Sequence, residues 1–557
     1  MLEIKGKSVL GGISRGHIVF YHRDSVTIPK LKVDNSEREY ERYVKARDEA
    51  ICELRQLYKT AVEELGEDSA QIFVIHEMIL LDSQFEMSIC DIIKNQKYNA
   101  EYALAKTARN FCKVLSDMDS DYIKERMADV KDAADRVMRH MQNRSLKKHS
   151  LDDMSIICAD DLMPSETMSL DKSKVAAFCT SSGSTNSHTA ILARTMNIPA
   201  IIGMGNLMCE KLDGKYAIAD GYSGILYVEP DKETCRMLEQ KEAVEGRKRE
   251  LLRRLKGRKN ITRDGREIDV LANIGGLEDI AFAIENDAGG VGMFRSEFLY
   301  MGLDDYPDEE KQFYNYRRVL EDMKDKKVII RTLDIGADKK ADYFGLDEET
   351  NPAMGFRSIR ICLERPDIFK TQLRALYRAS VYGNLSILLP MIIDVGEIKA
   401  VKGIINEVKE ELIAENIPFK DNVPLGTMIE TPAAVMISDL LAKEVDFFSI
   451  GTNDLEQYTL AIDRQNPRYE TISPDNHLAV LRMIKVTIDN AHANGIKVGI
   501  CGELGADTSL TEIFLDMHID YLSVAPSNIL PIRKTVRSLN LSDRKQIRDN
   551  IKRMLQY

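Results

Sequence analysis

The chain opens with short apolar runs between glycines and then changes to a long stretch of helical periodicity. Val9-Leu10 and Ile18-Val19-Phe20 predict strands within residues 1–20. From Ser36 onward, apolar side chains recur at steps of three and four residues in four segments, which predicts a small bundle of four amphipathic helices. Ser36 and Glu39 have the spacing of a capping box for the first helix. His76 falls on the second helix, where we expect a packing or partner-surface role rather than chemistry.

The period of the hydrophobic pattern changes at Met154. Short β-like runs follow at residues 155–158, 175–179, 200–202, 216–219 and 224–228. They predict a compact α/β unit that the extended first twenty residues would complete, so that the helical bundle is an insertion. The segment from Asp231 to Lys256 is rich in charge and lacks proline, and it predicts a helical connector of about 39 Å at 1.5 Å per residue.

After Asn260, strand-like and helix-like segments alternate eight times. The strand candidates are residues 269–272, 290–294, 327–330, 385–389, 424–429, 446–450, 497–500 and 520–524. Eight such units in about 290 residues predict a (β/α)₈ barrel, in which active sites lie at the carboxyl ends of the strands. The residues just past those ends should therefore line one cavity. They are Asn273, Arg295, Arg331, Asp334, Met391, Glu430, Asn453, Asp454, Cys501, Glu503 and Ser523.

The arginines in that set indicate what the cavity binds. Arg295 and Arg331 follow successive strands, and guanidinium groups match the oxygens of phosphates and carboxylates, so a small polyanionic substrate is expected. Arg357 and Arg464 could join them from loops. The competing structural interpretation is that these cations form ion pairs with the carboxylates of the same cavity.

The remaining polar residues suggest a metal and an acid. Glu430 and Asp454 are oxygen ligands of the kind that Mg²⁺ uses together with substrate oxygens. Asn453 can donate to a phosphate oxygen. Cys501 could protonate a carbanion or enolate, although a buried cysteine is most often inert packing.

A second candidate site lies in the α/β unit, at Ser182–Arg194. Small and turn-forming residues lead into His188 and a helix-compatible run follows, so His188 should lie in the first turn of a helix. The positive end of the helix dipole favours a neutral, nucleophilic imidazole. Backbone N–H groups there, with the hydroxyls of Ser184, Thr185 and Ser187, could hold phosphoryl oxygens. From this stretch alone, a histidine that only caps or packs is an equal alternative.

Composition narrows the classes of function. A formal net charge of −12 over 557 residues argues against nucleic acid or an anionic membrane as the main partner. No apolar run is long enough to span a bilayer, and we expect no signal peptide. The nine cysteines include no CxxC pair, which favours a reducing cytoplasm. No Walker motif occurs, and the glycine run 289–292 enters a strand, so we interpret it as backbone packing.

Three motifs resemble Enzyme I of the bacterial phosphotransferase system, the phosphoenolpyruvate-protein phosphotransferase family. They are Gly-Ser-Thr-Asn-Ser-His-Thr-Ala-Ile-Leu-Ala-Arg at 183–194, Asp-Phe-Phe-Ser-Ile-Gly-Thr-Asn-Asp-Leu at 446–455 and Cys-Gly-Glu-Leu at 501–504. The resemblance covers essentially the whole chain. It implies a phosphohistidine swivelling α/β domain at 1–25 and 148–230, an inserted helical carrier-docking domain at 26–147, a helical linker at 231–260, and a TIM barrel at 261–557 that binds phosphoenolpyruvate and dimerises.

The resemblance also implies roles for individual residues. His188 would be phosphorylated on Nε2 by phosphoenolpyruvate, and Cys501 would protonate enolpyruvate. The implied substrate-binding residues are Arg295, Arg331, Asn453, Asp454 and Arg464. The implied Mg²⁺ ligands are Glu430 and Asp454. The sequence departs from the family pattern in four places. Ser184 stands where glycine or alanine is usual, and Asn186 where threonine is commoner. Gly505-Ala506 reverses the usual order after the cysteine motif, and Tyr469 to His477 lacks a tyrosine-glutamine-proline that is often found there.

The same resemblance implies the first step of sugar uptake in the cytoplasm. The partners would be the phosphocarrier HPr and a second copy of the chain, with no nucleic acid and no membrane insertion. A phosphoenolpyruvate synthase or pyruvate phosphate dikinase is the alternative enzyme, but it needs an ATP-binding domain for which the helical region offers no phosphate loop. A non-catalytic scaffold that senses phosphoenolpyruvate is a third possibility.

Overall fold

In the computed structural model the chain divides into two compact units, Met1–Arg247 and Lys248–Tyr557. The structure describes residues 1–21, 28–65, 67–116, 121–142, 154–160, 162, 170, 174–182, 189–190, 193, 198–205, 210–301, 303, 305–336, 342–346, 349, 351–463 and 478–543. None of the helices within these ranges combines the length and apolar character needed to cross a membrane.

The described residues between 28 and 142 form five helices rather than the four predicted. They are α1 (Ser36–Leu65), α2 (Glu67–Leu81), α3 (Ser83–Lys94), α4 (Ala100–Ser116) and α5 (Asp121–Met141). The additional helix is α3, which the apolar periodicity did not predict. This helix begins at Asp82, whose carboxylate accepts a hydrogen bond from the Phe85 backbone N–H at 2.7 Å. It contributes Phe85, Ile89 and Ile93 to the core of the bundle.

The cap of α1 also differs from the prediction. Asn35, not Ser36, supplies the capping oxygen, which accepts from the Arg38 backbone N–H at 3.0 Å. Asparagine is as good an N-cap as serine, so the helix begins where the asparagine oxygen can reach the third N–H. The Glu39 carboxylate, which the capping-box prediction would have used locally, instead accepts from the backbone N–H of Ala100 at 2.8 Å. It thereby connects α1 to the start of α4.

His76 is fully buried between α2 and α5. Its Nε2 lies 3.3 Å from Asp129 Oδ1, and its Nδ1 lies 3.4 Å from Asp132 Oδ2. The packing role expected for this histidine is therefore confirmed, and the alternative of an exposed partner surface is wrong.

The α/β part of the first unit is one mixed sheet of eight strands in the order β1-β8-β7-β3-β4-β5-β6-β2. Residues 1–20 complete this sheet, as predicted, because β3 pairs in parallel with β4 and antiparallel with β7. Helix α6 (Lys232–Arg253) follows the sheet and confirms that the segment predicted as a connector is helical. The strands are β1 (Leu2–Lys5), β2 (Lys7–Leu10), β3 (Ile13–Phe20), β4 (Ser155–Ala159), β5 (Val175–Thr180), β6 (Ala200–Ile202), β7 (Tyr216–Asp220) and β8 (Ile225–Val228).

The second unit is a closed barrel of eight parallel strands, which confirms the predicted fold class. The strands are β9 (Asp269–Ile274), β10 (Val291–Arg295), β11 (Lys327–Arg331), β12 (Asn384–Leu389), β13 (Leu425–Ile429), β14 (Phe447–Ile450), β15 (Lys497–Ile500) and β16 (Tyr521–Val524). The helices of this unit are α7 (Glu278–Glu285), α8 (Glu309–Met323), α9 (Ile359–Glu364), α10 (Pro366–Ala379), α11 (Val395–Ala414), α12 (Pro432–Met436), α13 (Ser438–Leu441), α14 (Thr452–Leu460), α15 (Leu478–Ala493), α16 (Thr511–Asp516) and α17 (Ile529–Ser538).

Alternation along the strands divides the apolar side chains between two layers. One set packs between the strands and the outer helices, and a smaller set, which includes Leu388, Met428 and Cys501, fills the interior. The glycine run before and within β10 is used for close packing, as predicted. A side chain at Gly290 would collide with the Lys327 carbonyl, and one at Gly292 with the Ser523 hydroxyl.

Candidate active site

A cavity of about 560 Å³ lies at the carboxyl end of the barrel strands. Five strand ends, those of β10, β11, β13, β14 and β15, supply its charged and polar wall. The residues that the sequence predicted for this wall and that the structure places there are Arg295, Arg331, Asp334, Glu430, Asn453, Asp454, Cys501 and Glu503. The strand ends therefore meet around a common space, as the barrel prediction required.

Three predicted residues support the wall instead of lining it in the described part of the chain. Asn273 donates to the carbonyls of Cys501 at 2.9 Å and Ser523 at 3.1 Å, so it joins the ends of β9, β15 and β16. Ser523 donates its hydroxyl hydrogen back to Asn273 at 2.5 Å. Met391 contributes its backbone N–H, which donates to Glu430 at 2.6 Å.

Eight further residues line the cavity and were not predicted from the sequence. They are Met293, Met428, Gly451, Glu456, Gln457, Ile462, Gly502 and Leu504. Met293 and Met428 could have been found from strand alternation, because they face the same side as Arg295 and Glu430 two residues later. Glu456 and Gln457 lie on α14, several residues beyond the carboxyl end of β14, so the rule that selects residues just past a strand end did not include them.

Arg331 is ion-paired. Its Nη2 lies 2.5 Å from Glu297 Oε1 and 2.8 Å from Asp334 Oδ2, while its Nη1 lies 3.9 Å from Met428 Sδ. Burial lowers the pKa of the guanidinium, but attraction to Asp334, Glu297 and Glu430 outweighs burial and raises that pKa. Arg331 is thus a permanent cation whose Nη2 end is held by carboxylates.

Asp334 joins two arginines. It accepts from Arg357 Nη2 at 3.2 Å in addition to pairing with Arg331, and the Ser358 hydroxyl donates to it. The other end of the Arg357 guanidinium, Nη1, lies 3.4 Å from the Tyr458 hydroxyl on α14. Arg357 therefore stands behind the cavity wall as a support for Asp334.

Arg295 has a different environment. It lines the cavity at the end of β10 and is partly exposed, and its guanidinium makes no hydrogen bond or ion pair with the described residues. A partly exposed cation without a carboxylate partner retains its full charge for an incoming anion. Among the described arginines of this wall, Arg295 is the one available to bind substrate oxygens with both ends of its fork.

Glu430 and Asp454 supply the carboxylates expected to hold a metal. Glu430 is buried, and burial first, then the charges of Asp454 and Asp334, raise its pKa to about 8. Its carboxylate lies beside Gly451, where a Cβ would come within 2.9 Å of Oε2. A buried carboxylate whose proton affinity is raised by a neighbouring carboxylate fits a site for a divalent cation, which would replace the proton.

The Glu430–Asp454 pair suits a cation that takes few of its ligands from the protein. The described residues contain no group of three or more His, Cys, Asp and Glu side chains arranged to hold a metal. Mg²⁺ commonly uses one or two carboxylates and completes its shell with water and substrate oxygens, so the Glu430–Asp454 pair suits it.

Cys501 forms the floor of the cavity. It is 3% exposed, and its thiol lies 3.5 Å from the Ile450 carbonyl, to which it donates. Burial raises the thiol pKa to about 11, so Cys501 carries its proton at neutral pH. Such a thiol is a proton donor rather than a nucleophile.

Asn453 is oriented by Glu503. The backbone N–H of Glu503 donates to Asn453 Oδ1 at 2.8 Å, and Asn453 Nδ2 lies 3.3 Å from the Glu503 carboxylate. Gly502 permits this approach, because a Cβ there would collide with Thr452. The loops that follow β14 and β15 are thereby fastened together at the cavity mouth.

His188 and Arg464 lie outside the described residues, so the structure does not test their predicted positions. The residue after His188, Thr189, is helical and buried, and its hydroxyl donates to the Leu162 carbonyl at 3.3 Å.

Three segments of the chain match family models of PEP-utilising enzymes. Residues 249–541 match the PEP-binding domain of PEP-utilising enzymes, residues 5–126 their N-terminal region, and residues 151–224 their mobile domain. A phosphoenolpyruvate-protein phosphotransferase of Priestia megaterium is 41% identical over 542 residues, 97% of this chain and 95% of that protein. The protein of the same name from Bacillus subtilis is 39% identical over 556 residues, 99% of this chain and 97% of that protein.

The chain belongs to the phosphoenolpyruvate-protein phosphotransferase family. The resemblance inferred from the three motifs is thereby confirmed, and it extends over nearly the full length of the chain. All residues that line the cavity at the barrel mouth lie within residues 249–541, the segment that matches the PEP-binding domain. A solved structure of an Enzyme I protein is 30% identical and covers 44% of this chain and 99% of its own, but its TM-score of 0.38 is too low to support an argument.

Proposed function

We propose that this chain transfers the phosphoryl group of phosphoenolpyruvate to His188 and then to an HPr-type phosphocarrier protein, with release of pyruvate. The observation that carries the proposal is the cavity at the barrel mouth, which joins two arginines, three buried carboxylates and a protonated thiol. Its residues match in type what a trianionic substrate, a divalent metal and an enolate require. Membership of the family supports the type of reaction, and the cavity is the proposed site of that reaction.

Substrate binding divides among several groups. Arg295, which has no ion-pair partner among the described residues, offers its fork to phosphate or carboxylate oxygens. Arg331 offers the end of its guanidinium that Glu297 and Asp334 leave open. Asn453 can donate to a phosphoryl oxygen after small adjustment of its contact with Glu503. Arg464 is proposed as a further substrate ligand on the strength of the family motif. Asp454 is proposed to contact the substrate through the metal.

Mg²⁺ would be held by Glu430 and Asp454. When bound, the metal supplies positive charge against substrate oxygens, which lowers the cost of bringing a trianion to these carboxylates. Glu430 must lose its proton to act as a ligand, and the nearby Arg331 favours that ionised form.

The chemical step exchanges one bond to phosphorus for another. The bond between phosphorus and the enol oxygen breaks, and a bond forms between phosphorus and His188 Nε2. The transition state of such transfers is loose, so the arginines act mainly by positioning and by neutralising charge on the phosphoryl oxygens. The enolate left behind takes the Cys501 thiol proton at its methylene carbon to give pyruvate, and solvent returns a proton to the thiolate.

The reaction needs both units of the chain. His188 belongs to Met1–Arg247 and the cavity to Lys248–Tyr557, so the histidine has to reach the cavity for the first transfer and leave it for the second. We assign residues 1–25 and 148–230 to a swivelling phosphohistidine domain, 26–147 to carrier docking, 231–260 to the linker and 261–557 to substrate binding and dimerisation. The expected setting is the cytoplasm, as the first step of sugar uptake, and the eight described cysteines are free thiols.

Labelling tests this proposal. Incubation with phosphoenolpyruvate labelled in its phosphoryl group and Mg²⁺ should label the protein in an acid-labile form and release one pyruvate per label. His188→Ala should abolish labelling, whereas His17→Ala, a control at an exposed position of strand β3, should retain it. Labelling that persists in His188→Ala would show that another residue is the nucleophile.

A further inference from the structure

We propose that Glu297 is a positioning residue that holds Arg331 in its substrate-binding orientation. The inference rests on the proposed function, because it assigns Glu297 a role in phosphoenolpyruvate binding. Glu297 is fully buried and does not appear on the cavity wall, so it acts through the arginine rather than on the substrate.

The geometry of the Arg331 guanidinium supports this role. Both carboxylate contacts, to Glu297 at 2.5 Å and to Asp334 at 2.8 Å, are made by Nη2. Nη1 is directed toward Met428 on the cavity wall, and Nε has no hydrogen-bond partner among the described residues. The two carboxylates thus hold the guanidinium at one corner, and Nη1, which neither of them contacts, is left beside Met428 on the cavity wall.

Glu297 is itself fixed by the backbone that carries it. It lies in a 3₁₀ turn, Ser296–Leu299, directly after the end of β10. The Ser296 hydroxyl accepts from Gln372 Nε2 at 3.1 Å, and the other end of that amide accepts from the Leu333 backbone N–H at 2.9 Å. One buried amide therefore connects the turn of Glu297 with the chain just after Arg331. The relative position of the acid and the arginine is set by these connections.

Restraint of Arg331 has a specific consequence for this cavity. Glu430 is near enough to Arg331 that its charge favours the protonated arginine. An arginine free to choose a rotamer could pair with Glu430 and remove a proposed metal ligand. Glu297 and Asp334 give the guanidinium competing buried partners, so that Glu430 stays available to hold a metal.

A double-mutant cycle tests the inference. The variants are Glu297→Gln, which keeps the shape and an acceptor oxygen, Arg331→Lys, and the pair. For each we would measure kcat/KM for pyruvate release and, in a His188→Ala background, the Kd for phosphoenolpyruvate with Mg²⁺ by calorimetry. Glu297→Gln alone should lower kcat/KM about a hundred-fold, since a small displacement of a catalytic group has effects of that size. When Glu297→Gln is added to Arg331→Lys, kcat/KM should fall by less than about three-fold relative to Arg331→Lys alone. The two effects are not additive, because Glu297 acts through Arg331.

Asp287→Asn is the matched control. Asp287 pairs with the buried Arg533 just before β10, at the opposite end of the strand from Glu297, so it is also a carboxylate partner of a buried arginine. Its φ of 59° is one that asparagine adopts readily. This variant should leave kcat/KM and Kd unchanged, with a melting temperature shifted at least as much as in Glu297→Gln.

Two results would overturn the inference. One is an equal loss on adding Glu297→Gln to wild type and to Arg331→Lys, which would mean that Glu297 acts without the arginine. The other is a loss of kcat/KM in Asp287→Asn as large as in Glu297→Gln. That result would mean that both substitutions lower activity only by destabilising the fold. Failure of the proposed function shows differently: wild type would then release no pyruvate, while the cycle of Kd values would still decide the role of Glu297.

Discussion

The metal-free barrel should lose stability as the pH rises, because Glu430 is buried beside other carboxylates. Burial is the main cause that raises its pKa to about 8, and Asp454 and Asp334 raise it further. In the unfolded chain the same group titrates near 4.5. Between those two values the native state keeps a proton that the unfolded state has lost, so the free energy of unfolding falls as pH increases.

The shift in pKa sets an upper limit on the effect. A rise from 4.5 to about 8 corresponds to about 5 kcal/mol of unfolding free energy, fully present below pH 4.5 and lost once the pH passes about 8. For a unit of this size, about 5 kcal/mol corresponds to a fall of roughly 10 °C in melting temperature. Replacing Glu430 by glutamine removes the charge and should abolish this pH dependence.

Scanning calorimetry in EDTA at several values between pH 5 and pH 9 would measure the effect. Wild type should lose melting temperature across this range, and Glu430→Gln should melt higher than wild type at pH 9. Adding Mg²⁺ at pH 9 should stabilise wild type more than the variant, because ligand binding to the native state raises its stability. Glu444→Gln removes a half-buried carboxylate that pairs with Lys402, and this control should leave the pH profile nearly unchanged.

The reasoning would be refuted by a wild-type melting temperature that is the same at pH 5 and pH 9 without metal. It would also be refuted if Glu430→Gln melted below wild type at pH 9. In either case the carboxyl group would be ionised and satisfied in the native protein without a bound cation.

Three further predictions concern the cavity and the helical bundle. Arg295→Ala should lower kcat/KM for pyruvate release by about 10²- to 10³-fold, because it removes the unpaired fork, while Arg537→Ala at the other end of the barrel should have no effect. Cys501→Ala should leave labelling of His188 in a single turnover nearly intact but slow the appearance of pyruvate in a quenched-flow assay; equal slowing of both would assign the thiol to the transfer step. Asp82→Ala should lower the stability of the bundle by about 1 kcal/mol through loss of the α3 cap, measured by thermal melting, with Ser88→Ala at a partly exposed position of the same helix as a neutral control.

The helical bundle shows where local signals are enough and where they fail. The apolar periodicity of α1, α4 and α5 is long and regular, so these helices were predicted correctly. Helix α3 has 12 residues and follows α2 after a single residue, so its pattern was hidden in that of its neighbour. Its N-cap, Asp82, was the local signal that could have separated the two. The choice of Asn35 over Ser36 as the cap of α1 was not decidable from spacing, because both residues are good caps.

The barrel was predictable because each strand carries its own evidence. Every strand is a short apolar run with its ends marked by polar residues, and parallel connections bring all carboxyl ends to one side. The list of residues after those ends therefore contained most of the charged wall of the cavity, including Arg295, Glu430 and Asp454.

The pairing of the charges within that wall could not be predicted. Arg331 and Arg295 look equivalent in the sequence, yet one is held by two carboxylates and the other has no ion-pair partner among the described residues. The difference arises because Glu297 lies in a turn that folds back toward β11, and the buried amide of Gln372 from α10 holds the two turns together.

The layers, the barrel and the end of the barrel at which the cavity opens could be derived from the amino-acid sequence, because they follow from hydrophobic period and chain direction. Three-dimensional packing was needed to show which arginine has no ion-pair partner among the described residues, which carboxyl keeps a proton and which residues stand behind the wall. Those properties depend on burial and on contacts between segments far apart in the chain, and no local pattern records them.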